Sequence, residues 1–207
     1  MTLTAIIWSG RRWIVASVAL FFLGLGLGWA ASQADPELLV DQLQPVFQRL
    51  GGLGAQVTES LSPAERTWII YRNNAQAVSV MMIAALILPL LGALVPALGM
   101  FGNGALIGVV LGLGARVSAR AVDPAQMALA LVPHAIFELP AIWLSAAWAM
   151  RLGLRWAAPS AEGERWGTWK QCAKEAVIVL TLAMALLGVA AFVEGNVTLS
   201  LLQSRRS

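Results

Sequence analysis

The chain reads as an all-α, polytopic integral membrane protein of about five transmembrane helices. Three observations predict this class. Hydrophobic residues make up 58% of the 207 positions and charged residues only 12%, about half the charged share of a soluble domain. The mean hydropathy is +0.73. The apolar residues also gather in stretches near the ~20 residues of helix that cross a bilayer. The polar remainder is too short for a separate soluble domain, so residues 1–207 read as one membrane domain. A net charge of +3 suits contact with anionic lipid headgroups, and no basic run is dense enough for nucleic acid. The one cysteine, Cys172, excludes an intramolecular disulfide and any cysteine-based metal cluster.

The first span covers residues 13–31. It follows Arg11-Arg12 and has Trp13 and Trp29 at its ends, as an interfacial belt would set them. A cleaved signal peptide is the rival, because Ser32-Gln33-Ala34 carries small residues at a cleavage spacing. The long apolar core favours an uncleaved anchor. Gly24 and Gly28 within it form a Gly-x-x-x-Gly packing face. Residues 32–73 are the long polar connection. There Leu39, Leu43, Val46, Phe47 and Leu50 line one face of a short amphipathic helix, which Gly51-Gly52 is expected to end. Such a helix suits either the membrane surface or a docking partner.

The second span covers residues 75–94. Trp68, Tyr71 and Asn73-Asn74 introduce it, and Pro89 and Pro96 interrupt its far end. The third, residues 102–118, is short and glycine-rich. Gly104, Gly108 and Gly112 fall four apart and make a smooth stripe for close helix packing. A tilted crossing and a re-entrant hairpin with the second span both fit its length. The fourth covers 125–148 and closes with Trp143 and Trp148. The fifth covers 174–193, with Glu175 and Glu194 expected in the interface at its two ends.

With the N-terminus inside, the inner segments hold Arg11, Arg12, Arg151, Arg155, Arg165, Lys170 and Lys174. The outer segments hold Arg49, Arg66, Arg72, Arg116, Arg120, Arg205 and Arg206, so the basic residues tie. Asp35, Glu37 and Asp41 after the first span, and the dense basic segment 151–174, favour the N-terminus inside and the C-terminus outside.

The fourth span carries the chain's one histidine. His134 and Glu138 are four apart, so on a helix their side chains share a face. Placing an ionisable group mid-span costs roughly 2–3 kcal/mol on insertion scales. Pro133 fits the first turn of a half-helix. Pro140 lacks the N–H that would pair with the Ile136 carbonyl, so the fourth helix is expected to be broken by its prolines. Asn74 and Asn103 are the expected polar companions of His134 and Glu138. Two roles stay open. The four residues form a knot that fixes helix arrangement, or Glu138 titrates as an ion, proton or lipid passes.

Catalysis is not expected. A zinc site needs three protein ligands, and one histidine beside one glutamate falls short. Ser145 is too far along the helix to form a Ser/His/Asp arrangement with His134. No catalytic residue, metal or cofactor is therefore expected.

Three segments, in order, resemble the membrane core of the stage II sporulation protein M family. They are Tyr71-Arg72-Asn73-Asn74, Asn103-Gly104 with Gly108, and Pro133-His134-Ala135-Ile136-Phe137-Glu138-Leu139-Pro140-Ala141. The resemblance spans roughly residues 65–190. The family usually has glycine where this chain has Ala135. The resemblance implies a multi-pass protein of the bacterial cytoplasmic (inner) membrane, mostly of five spans. In spore formers the family member scaffolds a complex with two cell-wall hydrolases during engulfment. The expected function is thus a non-enzymatic scaffold of an envelope or membrane-remodelling complex. The alternative is a transporter, channel or lipid-handling protein built on the His134/Glu138 site. Expected partners are membrane lipids, a second copy in a homodimer, and other membrane or cell-envelope proteins.

Overall fold

The computed structural model describes the backbone of residues 2–56, 61–118, 124–158 and 164–198. Within these it describes the side chains except at 46, 47, 49–56, 116–118, 124–134, 156, 197 and 198. The described residues are almost entirely helical and contain no strand. Six helices follow in order: α1 (Leu3–Ala34), α2 (Pro36–Gln56), α3 (Pro63–Ile87), α4 (Leu91–Ser118), α5 (Pro124–Ala157) and α6 (Glu164–Phe192). A π-helical turn, Val193–Thr198, continues α6. Four stretches among the described residues are long and apolar enough to cross a membrane: Leu3–Ala34, Leu91–Ala115, Ala135–Arg155 and Glu164–Asn196.

Local chemistry sets the helix ends. Thr2 caps α1 by accepting from the Ala5 N–H at 3.3 Å. Asp35 closes α1 with its backbone N–H and opens α2, its Oδ1 accepting from Leu38 N at 3.0 Å. At the start of α3, Ser62 and Glu65 form a reciprocal capping box ahead of Pro63. Hydrogen bonds from the Ser62 hydroxyl and N–H hold the Glu65 carboxyl below its usual 4.5. A lowered folded pKa stabilises the cap above the unfolded value, and that support is lost as pH falls through the folded one. Amide exchange in the first turn of α3, corrected for its intrinsic rate, is therefore expected to speed up below pH 4.5. Ser62→Ala should produce the same fraying at neutral pH.

Several boundaries differ from the sequence reading. α2 continues past Gly51-Gly52 to Gln56, since a glycine weakens a helix by about 1 kcal/mol but ends it only where the backbone turns left-handed. The faces of Val46, Phe47 and Leu50 lie outside the described side chains. The second span is not one helix over 75–94. α3 begins at Pro63 and stops at Ile87, Leu88 is extended, and Leu90 takes a left-handed φ of 61°. Pro89 accounts for this by disfavouring helical backbone at the residue before it. Leu90 N donates to Gly153 O at 3.3 Å, which anchors the turn on α5.

The third helix is long rather than short. α4 holds 28 residues with Pro96 inside it, about 42 Å at 1.5 Å per residue. α5 is not broken by its prolines: it remains helical from Pro124 through Pro133 and Pro140 to Ala157. Each proline removes one backbone bond, and the turns on either side carry the helix through.

Contacts define two ends of the bundle. At the N-terminal end, Arg151 Nη1 reaches Ser9 Oγ at 3.1 Å, and Trp169 Nε1 donates to Leu86 O at 3.2 Å. The start of α1, the end of α3, the end of α5 and the start of α6 therefore meet there. At the far end, Gln33 Nε2 donates to Gly112 O at 3.3 Å, and Asn196 Nδ2 donates to Thr67 Oγ1 at 3.1 Å.

Small residues let the helices approach. Ala141, Ala147, Ala149, Ala176 and Ala183 are buried between α3, α5 and α6 around Met82, Trp148, Leu152 and Val179. α1 and α4 pack glycine to backbone. A Cβ at Gly24 would strike the Phe101 carbonyl, and one at Gly28 the Ala105 carbonyl. Reciprocally, a Cβ at Gly104 would strike the Phe21 carbonyl, at Gly108 that of Leu25, and at Gly112 the Ser32 hydroxyl. Phe22, Leu23, Val80, Ile83, Leu98 and Val177 face outward, as side chains solvated by lipid do.

Candidate functional site: polar clamps between helices

Asn74 on α3 donates from Nδ2 to Glu138 Oε1 on α5 at 3.2 Å. Both residues are half-buried. An amide N–H can donate to a carboxyl oxygen whether or not the acid is ionised, and the bond ties two helices at one level. Asn103 does not join them. It lies exposed on α4. His134 occupies α5 one turn before Glu138, and its side chain, like that of Pro133, lies outside the described ones. Pro140 is half-buried within the helix.

A second clamp escaped the sequence reading. Arg151 on α5 pairs with Glu175 on α6, Nη1 to Oε2, at 2.7 Å. The two side chains are 11% and 5% exposed. Gln171 Nε2 adds a bond to Glu175 Oε1 at 3.2 Å, and Arg155 approaches the same oxygen at 3.9 Å. Arg151 also reaches Ser9 of α1 and lies over the Trp148 ring, 5.6 Å from its centroid. Three helices thus converge on one buried ion pair. Glu175 is not an interfacial cap, because α6 starts at Glu164 and carries Glu175 into the packed region. Trp148, with arginines three and seven residues later, was the available signal, since a charged residue at the close of an apolar helix seeks a partner.

A groove of about 710 Å³ lies at the far end between α3 and α6. Ser62, Thr67 and Asn196 give it a polar rim, while Trp68, Tyr71, Met184, Gly188 and Phe192 line its apolar length. The π-helical turn shapes that rim: Asn196 Nδ2 donates to both Phe192 O and Thr67 Oγ1. Such turns recur at functional positions. Among the described residues, no three His, Cys, Asp or Glu side chains converge as metal ligands.

A family model described as stage II sporulation protein M matches residues 17–199. No curated protein and no solved structure matches the chain.

Proposed function

The chain belongs to the stage II sporulation protein M family, and on that footing we propose that it is a non-enzymatic scaffold of an envelope or membrane-remodelling complex. Four helices among the described residues are long and apolar enough to cross a membrane, which supports a multi-pass membrane protein. In this reading α3 is a fifth crossing. In support, its first turns contact the terminal π turn and its last turn contacts Trp169 of α6. The host membrane is the bacterial inner membrane, with the basic N-terminal end cytoplasmic. Lipids, a second copy and other envelope proteins are the partners.

The observation that carries the scaffold reading is the Asn74–Glu138 bond. It makes the intramembrane acid a brace between helices, and the Arg151–Glu175 pair braces the opposite end. A frame pinned at two levels holds its connecting segments in fixed relation, which a partner-recruiting platform needs. Glu138→Gln tests this, because the amide keeps an oxygen for Asn74. Folded yield and the set of proteins recovered from mild detergent, identified by mass spectrometry, should match the wild type. Loss of proton or cation flux in vesicles, with assembly intact, would instead establish a conduit.

A second reading, lipid handling, draws on the groove between α3 and α6. Its polar rim and apolar length suit an amphiphile. Recovery of a stoichiometric lipid with no companion protein would favour it.

A further inference from the structure

Asn103 is the central residue of the apolar span Leu91–Ala115. It is the one amide or charged side chain in that span, about 18 Å along the helix from either end. Yet it is exposed and makes no hydrogen bond to the described residues. A polar side chain at mid-bilayer depth normally turns inward or finds a partner.

The surroundings show how a partner would reach it. Gly99 and Gly102 lie on the same outward side of α4, and nothing stands within 4 Å of where a Cβ would be at either. On the inward side, Gly104 and Gly108 show the same type of crater filled by the backbone of α1. α4 therefore has two glycine faces, one occupied within the chain and one that no described residue covers. Val95 and Leu98 before Asn103, and Ile107 after it, are exposed and bulky enough to enter such craters.

We propose that this face of α4 is the contact between two copies of the chain, with Asn103 paired to Asn103. The choice of a second copy follows from symmetry. A copy inserted in the same sense carries its own Asn103 at the same depth, and a twofold axis along the membrane normal brings the two side chains together. An amide both donates and accepts, so it satisfies its own image. The craters let the backbones approach until the amides meet. This inference rests on the multi-pass reading and locates the homodimer within it.

The test uses the full chain in lipid vesicles, counting subunits by stepwise photobleaching at increasing lipid dilution. Asn103→Leu should weaken pairing about tenfold, Gly102→Leu should do likewise, and Asn103→Gln should restore most of it. Unfolding temperatures should stay near wild type for all three, because the face is exposed. In a Cys172→Ala background, Val95→Cys should cross-link to itself on oxidation, while Val177→Cys on the outward face of α6 should not. Wild-type pairing by both Asn103→Leu and Gly102→Leu overturns the inference. So does a Val95→Cys adduct to a different protein. Pairs that persist without the Val95 cross-link would overturn this interface yet keep a homodimer. Single subunits at every dilution would remove both.

Discussion

Glu175→Leu is expected to destabilise the protein by about 3–5 kcal/mol, because it leaves the Arg151 guanidinium buried without its counter-charge. Arg155 is not placed to replace what is lost. Its side chain is 46% exposed, and its approach is to the same carboxylate that the substitution removes. Ser9 and the face of Trp148 would remain as the contacts of Arg151, and neither is an anion. The paired change Arg151→Met with Glu175→Leu should recover most of the loss, since apolar residues of similar volume often replace a buried ion pair without penalty. If the single change is as mild as the pair, the clamp contributes little. The chain supplies its own reporter. Cys172 is the single thiol and is buried in the same core cluster, so a thiol-reactive fluorophore reads unfolding in detergent without an engineered label.

Gly28→Leu should cost at least about 3 kcal/mol and prevent α1 from seating on α4. The colliding atoms belong to the Ala105 main chain, so no rotamer change relieves the clash and the helices must separate. Gly108→Leu meets the Leu25 carbonyl and should behave alike. Gly26→Ala is the control. It lies between the contact glycines in sequence, nothing stands within 4 Å of its Cβ position, and alanine is the better helix former by about 1 kcal/mol. That variant should match or exceed the wild-type unfolding temperature. Equal losses at Gly26 and Gly28 would contradict the packing described.

Much of the architecture is written in local pattern. Helical class follows from apolar stretches bracketed by tryptophan, and the glycine spacings in α1 and α4 identify faces built for close approach. The sequence does not say which face meets which. Gly24 and Gly28 lie about 80 positions before Gly104 and Gly108, and only the three-dimensional arrangement pairs them. The turn at Leu88–Leu90 was signalled by Pro89 yet read as a ragged helix end, because the apolar run continues through it. Glu175 misled for a related reason. Its neighbours Lys170 and Lys174 look like an interface, whereas Trp166 and Trp169, stacked 4.9 Å apart, belong to the first turns of a longer helix. Within the candidate site, the Asn74–Glu138 contact joins two residues that the sequence singled out. Asn103 came from the same reasoning and stands on another surface, since residue type signals a need for a partner without saying who provides it.

The α1–α4 seam has a bearing on biosynthesis. α1 leaves the ribosome and enters the bilayer while the helix that covers its glycines is still unmade. Translation at about 5–20 residues per second puts the roughly 80 intervening residues some 4–16 seconds behind. Throughout that interval Gly24 and Gly28 lack the α4 backbone against which they lie in the finished molecule, and Ser32 lacks Gly112. The glycine face of α1 therefore acquires its close-packed neighbour only once α4 has followed it into the bilayer.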